Sequence, residues 1–149
     1  MNNSKRRILL VEDNSDARKL IQLALDELGI PNEIIYVEHG QQAIDYLFGR
    51  GEFAERNKIE KPDIILLDLK LPKLIGFEVL KMIRASPQTV HIPMIIFTSS
   101  NIQADILTGY QLGANSIITK PSEAKLFAEC VKQLGAYWLL WNHPLSGSK

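Results

Sequence analysis

The chain has 149 residues, 46% of them hydrophobic, with 17 basic and 17 acidic side chains, which suits one domain of ordinary size with a core of its own. A net charge of zero leaves no electrostatic footprint for nucleic acid or an anionic membrane surface, and Lys5-Arg6-Arg7 is the only basic run. One cysteine, Cys130, excludes an internal disulfide and fits a reducing compartment, and no apolar stretch nears the roughly 20 residues that span a bilayer. The start Met1-Asn2-Asn3-Ser4 is not a signal peptide, so a soluble cytoplasmic protein is expected.

Arg7-Ile8-Leu9-Leu10-Val11 reads as a short buried strand ended by Glu12-Asp13. Asn14 or Ser15 can cap the next helix, whose apolar positions Ala17, Leu20, Ile21, Ala24 and Leu28 recur at helical spacing until Gly29 and Pro31 stop it. Glu33–Val37 reads as a second strand, and Gly40 opens a helix carrying Ala43, Ile44, Leu47 and Phe48. From Gly49 to Lys61 the chain is charged and Gly-bounded, as an exposed insertion with a helical turn would be.

Pro62-Asp63 then introduces Ile64-Ile65-Leu66-Leu67, four apolar residues without alternation, the signature of a central strand buried on both faces. The run stops at Asp68, and Leu71-Pro72 prevents its continuing. Gly76 starts a third helix through Phe77, Leu80 and Ile83, closed by Ser86-Pro87. Ile92–Thr98 is a fourth buried strand, followed by Ser99-Ser100-Asn101 as a capping cluster, a helix from Gln103 to Leu112 and Gly113. Ser116–Thr119 is a fifth strand, and Lys120-Pro121-Ser122 leads into a last helix with a core stripe at Phe127, Cys130, Val131 and Leu134. Five alternations of strand and helix predict an α/β fold with a doubly wound parallel sheet.

Glu12-Asp13, Asp68, Thr98 and Lys120 all stand at strand carboxyl ends, which in a parallel sheet share one edge. Each has an ordinary explanation alone: a helix-terminus charge, a strand end, a β-branched strand residue, a solvated turn. Together they make a site. Three carboxylates repel unless a hard cation such as Mg2+ (or Mn2+) neutralises them, and Lys120 and Thr98 can take the oxygens of a phosphoryl group on Asp68.

With these motifs the chain resembles the receiver domain of two-component response regulators over nearly its whole length. That resemblance implies a flavodoxin-like sheet of strand order 2-1-3-4-5 with helices on both faces. It implies Asp68 as acceptor of a phosphoryl group from a sensor histidine kinase, with Mg2+ held by Asp13, Asp68 and the backbone carbonyl of Lys70, and Glu12 acting through water. It implies Thr98 and Lys120 on the phosphoryl oxygens, and a Lys120-Pro121 bond that X-Pro chemistry permits to be cis. The family's switch aromatic falls at Ile117, so coupling to that face departs from the family pattern; the family's common Asp before Gly76 is Ile75, and Lys70 and Ser100 hold rim positions that tune phosphoryl lifetime. The Gly49–Lys61 insertion and the tail Ala136–Pro144 resemble stand-alone regulators paired with bacterial phytochrome kinases, which implies a phytochrome-like kinase partner.

The five large apolar residues Tyr137–Trp141 exceed what one helix face can bury. Either the helix end folds onto the core, or Tyr137, Trp138 and Trp141 form a partner surface, expected here to be a homodimer through the C-terminal helix region. None of His39, His91 and His143 has ligand or triad spacing, so the phosphodonor histidine belongs to another protein, and no Gly-rich phosphate loop suggests ATP binding. The expected organisation is one receiver domain over residues 1–149 with an extended tail and no output domain, acting as a phosphoacceptor, not an enzyme. Two other classes compete. A small aspartyl-nucleophile phosphatase would want a second acid two residues after Asp68, where Lys70 stands; a receiver-like interaction module without phosphorylation would have no need of the full acidic, hydroxyl and lysine set.

Overall fold

Apolar runs alternating with helix-forming stretches give β1 (Arg6–Val11), α1 (Ser15–Leu28), β2 (Asn32–Val37), α2 (Gly40–Phe48), β3 (Ile64–Leu67), α3 (Gly76–Ala85), β4 (Met94–Thr98), α4 (Gln103–Gln111), β5 (Ser116–Thr119) and α5 (Ala124–Ala136). A 3-10 turn at Gly51–Phe53 lies in the charged insertion, and a π-helical turn, Tyr137–Trp141, extends α5. The computed structural model describes residues 5–55, 61–70 and 75–145; the Leu71-Pro72 strand stop and residues 56–60 of the insertion lie outside them. Among the described residues no helix is long and apolar enough to cross a membrane.

All four strand pairings are parallel, in the order β2-β1-β3-β4-β5, which is the doubly wound arrangement the element pattern predicts. Every residue of β3 and β4 is buried, which explains why neither alternates in sequence. The pleat sends successive side chains to opposite faces. Leu9, Val11, Ile65, Leu67, Met94 and Ile96 pack against α2 and α3 on one face, whereas Ile8, Leu10, Ile64, Leu66, Ile95 and Phe97 pack against α1 and α5 on the other.

The register places the candidate site positions. Val11 pairs with Leu67, so Glu12 and Asp68 are the next residues out on adjacent strands. Thr98 pairs with Thr119, which puts Lys120 one step beyond it on the neighbouring strand. Between these strand ends the helices begin. Asn14 Oδ1 accepts the Ala17 N–H at 2.8 Å and caps α1, and His39 Nδ1 accepts the Gln42 N–H at 3.3 Å and caps α2.

Arg84, at the end of α3, ties the opposite rim together. Its guanidinium donates to the carbonyls of Gly113, Val90 and Ile92 and to Asn115 Oδ1, at 2.7–2.9 Å. Asn115 Oδ1 in turn accepts the Met94 N–H at 2.8 Å, so one side chain fixes the entry into β4 and β5 alike.

Gly76 opens α3 directly against the segment that follows β3. A Cβ there would stand 2.6 Å from the Asp68 carbonyl oxygen and 2.7 Å from Leu69 Cα, both backbone atoms that cannot swing aside. Gly76→Ala should therefore cost about 1–3 kcal/mol of stability, the usual penalty for forcing atoms into a packed site. A urea midpoint for that variant equal to wild type would show that α3 does not seat as tightly on Asp68 as described.

Candidate functional site

Because β1, β3, β4 and β5 run parallel, their carboxyl ends carry Glu12-Asp13, Asp68, Thr98 and Lys120 onto one rim. Glu12 (2% exposed) and Asp68 (7%) are buried there, although neither is apolar. Burial of a carboxylate is costly unless a partner balances it. The partner is Lys120, whose Nζ donates to Glu12 Oε1 at 2.6 Å and to Asp68 Oδ2 at 3.0 Å. The far oxygens are held by backbone: Glu12 Oε2 accepts the Asn14 N–H at 3.2 Å, and Asp68 Oδ1 accepts the Lys70 N–H at 3.3 Å. Lys120 also links the strands, since its own N–H donates to the Thr98 carbonyl at 2.7 Å.

Two acids thus share one base. Burial pushes the Glu12 carboxyl above the usual carboxylate range, the Asp68 charge adds to that, and the Lys120 hydrogen bond and charge only partly oppose it. For Lys120 burial works to lower the value, but its hydrogen bond to Glu12 and the charges of Asp68 and Glu12 together outweigh it and hold the ammonium above its ordinary range.

Asp13 is exposed, and a carboxylate oxygen from each of Glu12, Asp13 and Asp68 lies within 4.8 Å of the others. Three carboxylates against one ammonium leave two formal negative charges in a small volume. An all-oxygen donor set with that charge suits a hard divalent cation such as Mg2+ or Mn2+ and not a soft metal that wants thiolate or imidazole.

Thr98 is 1% exposed, and its Oγ1 accepts the Ser100 N–H at 3.3 Å. Ser100, also buried, donates its own hydroxyl to Asp105 Oδ2 at 2.7 Å. Neither the Ser100–Asp105 pair nor its tie to Thr98 is visible in the motif pattern. The sequence signal for it is only an acid in the first turn of a helix whose cap position, Ile102, has no side-chain acceptor.

The residues singled out for partner contact lie elsewhere. Ile117 is half-buried on β5, its N–H donating to the Tyr110 hydroxyl of α4 at 3.2 Å, so an aromatic does meet this position, from the helix and not from the strand. The tail sits at the opposite rim, where Arg6 Nη1 reaches the Asn142 carbonyl at 3.4 Å. There the two readings of the tail divide between residues. Leu139 is buried and Trp138 packs partly on the α1–α5 core, while Tyr137, Leu140 and Trp141 (70% exposed) face outward. The Lys120–Pro121 bond is trans, the isomer that X-Pro bonds favour by about 0.5–1 kcal/mol, and not cis as the resemblance permitted.

The response regulator receiver domain model matches residues 8–132 of the chain. The chain is 36% identical to the probable methanogenesis regulatory protein FilR2 of Methanothrix harundinacea, over 91% of this chain and 84% of that protein. It is 34% identical to the response regulator Rcp1 of Synechocystis, over 92% and 91% of the two chains, and the Mn2+-bound crystal structure of Rcp1 superposes with a TM-score of 0.88 over 94% of this chain and 99% of Rcp1. The phosphorylated cyanobacterial phytochrome response regulator RcpA superposes with a TM-score of 0.90 at 37% identity, covering 96% of this chain and all of RcpA.

The shared ammonium has a thermodynamic signature. A raised lysine value means that the charged form stabilises the fold below about 10.5, its ordinary value, and that this contribution fades as pH climbs through the folded value. In metal-free protein, Lys120→Met should lower stability at neutral pH by about 3–5 kcal/mol, the cost of stranding a buried charge. Adding Glu12→Gln should recover part of that loss, and the single variant should lack the alkaline decline of the wild type. Urea denaturation in the presence of a chelator measures all three, and equal stability of Lys120→Met and wild type would contradict the arrangement.

Proposed function

This chain belongs to the response regulator receiver domain family of two-component signalling, and we propose that it is a phosphoacceptor whose Asp68 takes a phosphoryl group from a phosphohistidine on a sensor histidine kinase. The observation that carries this reading is the buried Asp68 carboxylate, with one oxygen on the Lys120 ammonium at 3.0 Å and the other on the Lys70 N–H.

In that reaction a carboxylate oxygen of Asp68 attacks phosphorus, the P–N bond to the imidazole breaks, and the departing imidazole nitrogen keeps the electron pair and takes up a proton. Transfer of this kind needs positioning and charge balance more than bond-making help from the protein. Lys120 is already on Asp68 Oδ2, so little movement brings its ammonium to a phosphoryl oxygen, and the Thr98 hydroxyl supplies a second donor from the next strand. Glu12, Asp13, Asp68 and the Lys70 backbone carbonyl are the groups that would hold a divalent cation. Such a cation would neutralise charge on the phosphoryl oxygens. Lys70 occupies the place where an aspartyl phosphatase would want a second acid, so turnover is expected to be limited to weak self-dephosphorylation and the protein is not an enzyme in the ordinary sense.

The kinase partner is proposed to be phytochrome-like. The likeness to RcpA, named as a phytochrome response regulator, supports this over the full length of that chain. Output is proposed to pass by protein contact in the cytoplasm. A homodimer through the end of α5 is proposed from Tyr137, Leu140 and Trp141, three outward apolar side chains on one turn, a composition typical of interface cores.

With acetyl phosphate and Mg2+, intact mass should show one added phosphoryl group on wild type and none on Asp68→Asn. Steady consumption of donor without an adduct would favour the phosphatase, and neither adduct nor consumption would favour a module that no longer takes phosphate. For the dimer, sedimentation velocity should give a dimer for wild type and a monomer for Trp141→Glu; a monomeric wild type at tens of micromolar would refute it.

A further inference from the structure

We propose that Asp105, acting through Ser100, is a positioning residue for Thr98 in phosphoryl transfer; this rests on the phosphoacceptor reading above. A threonine hydroxyl has one hydrogen to give and two lone pairs to offer. In Thr98 one lone pair is taken by the Ser100 N–H at 3.3 Å, and no acceptor for the hydroxyl hydrogen is present among the described residues. Thr98 is fully enclosed, and an enclosed donor with no acceptor is costly. A phosphoryl oxygen on Asp68 would satisfy it.

The orientation of that hydroxyl is therefore set by where the Ser100 N–H points, and the Ser100 side chain is what holds the loop. Ser100 Oγ donates to Asp105 Oδ2 at 2.7 Å and accepts the Ile102 N–H at 3.4 Å, while the Ser100 carbonyl accepts the Thr119 hydroxyl at 3.4 Å. Asp105 is the third residue of α4, on a rigid element, and the N-cap residue of that helix, Ile102, supplies no side-chain cap of its own. The same contacts would be present if Ser100 and Asp105 served only to start α4, so stability alone does not separate the two roles. Kinetics does.

Phosphoryl uptake from acetyl phosphate with saturating Mg2+, followed by intact mass, gives the limiting rate and the donor concentration at half that rate. Asp105→Ala and Ser100→Ala should each lower the limiting rate roughly tenfold, less than the ~100-fold that removing an electrostatic donor outright costs. The double variant should be no slower than the singles, since the pair acts as one unit. The half-rate concentration and the rise in melting temperature on adding Mg2+ should be unchanged. Asp105→Asn and Ser100→Thr, which keep an acceptor and a hydroxyl, should restore the rate. Gly29→Ala, which strains the φ of 71° at the end of α1 on the opposite rim, should lower the melting temperature without slowing uptake. If Ser100→Ala does not fold, Asp105→Ala and Asp105→Asn carry the same comparison. Lowered melting temperatures with unchanged limiting rates would overturn the inference and leave a helix cap. No uptake by wild type would overturn the phosphoacceptor reading and this inference with it, whereas normal uptake with unaltered variants overturns this inference alone.

Discussion

Lys120 stands between two buried carboxylates, and the rim of the sheet is built around that sharing. Its Nζ is 2.6 Å from Glu12 and 3.0 Å from Asp68, so removing the ammonium strands both acids out of water. The arrangement is held but not neutral. With Asp13 included, negative charge exceeds positive, and the excess is what a divalent cation would balance. Burial also holds the Glu12 carboxyl above its ordinary range, so the site carries a strain in charge that a cation would relieve. A fold built for stability alone would place apolar groups here, as it does at Ile8–Val11 of β1 and throughout β3.

The sheet brings these groups together without any long loop having to reach. Parallel strands put every carboxyl end on one edge, and a register in which Val11 faces Leu67 makes Glu12 and Asp68 neighbours by construction. The helices then face the rim with their amino ends, where the partial positive charge suits an anionic site. The opposite rim carries the structural fastenings: the Arg84 guanidinium, the Asn115 amide and the Arg6 contact to the tail. The exposed face of the tail lies on that edge too, away from Asp68.

Much of this was legible in the residues alone. Ile64–Leu67 announces a strand covered on both faces because no polar residue interrupts it, and that is how it lies. The convergence of Glu12, Asp68 and Lys120 could be read because a parallel sheet leaves strand ends no other place to go. Distances could not be read, so nothing in the sequence says that Lys120 sits nearer Glu12 than Asp68. The Ser99-Ser100-Asn101 cluster was legible as a cap, but not that Ser100 is the one whose hydroxyl meets Asp105 and the Ile102 N–H, since that depends on the path of a three-residue loop. The Tyr137–Trp141 run was ambiguous for a physical reason. A segment apolar all round shows no preferred face, and only packing onto the core shared by α1 and α5 decides that Leu139 and Trp138 turn inward while Trp141 does not.

The acids gathered at the rim matter most if they hold a divalent cation beside Asp68. Titrating 15N-labelled protein with substoichiometric Mn2+ and following amide signals tests this directly, because the paramagnetic ion broadens only what lies near it. The amides of Asp13, Asn14, Leu69 and Lys70 should vanish first, while those of Arg84, Gly113 and Trp141 stay sharp. Loss of the Gly113 or Trp141 signals first, or no selective loss at all, would contradict it.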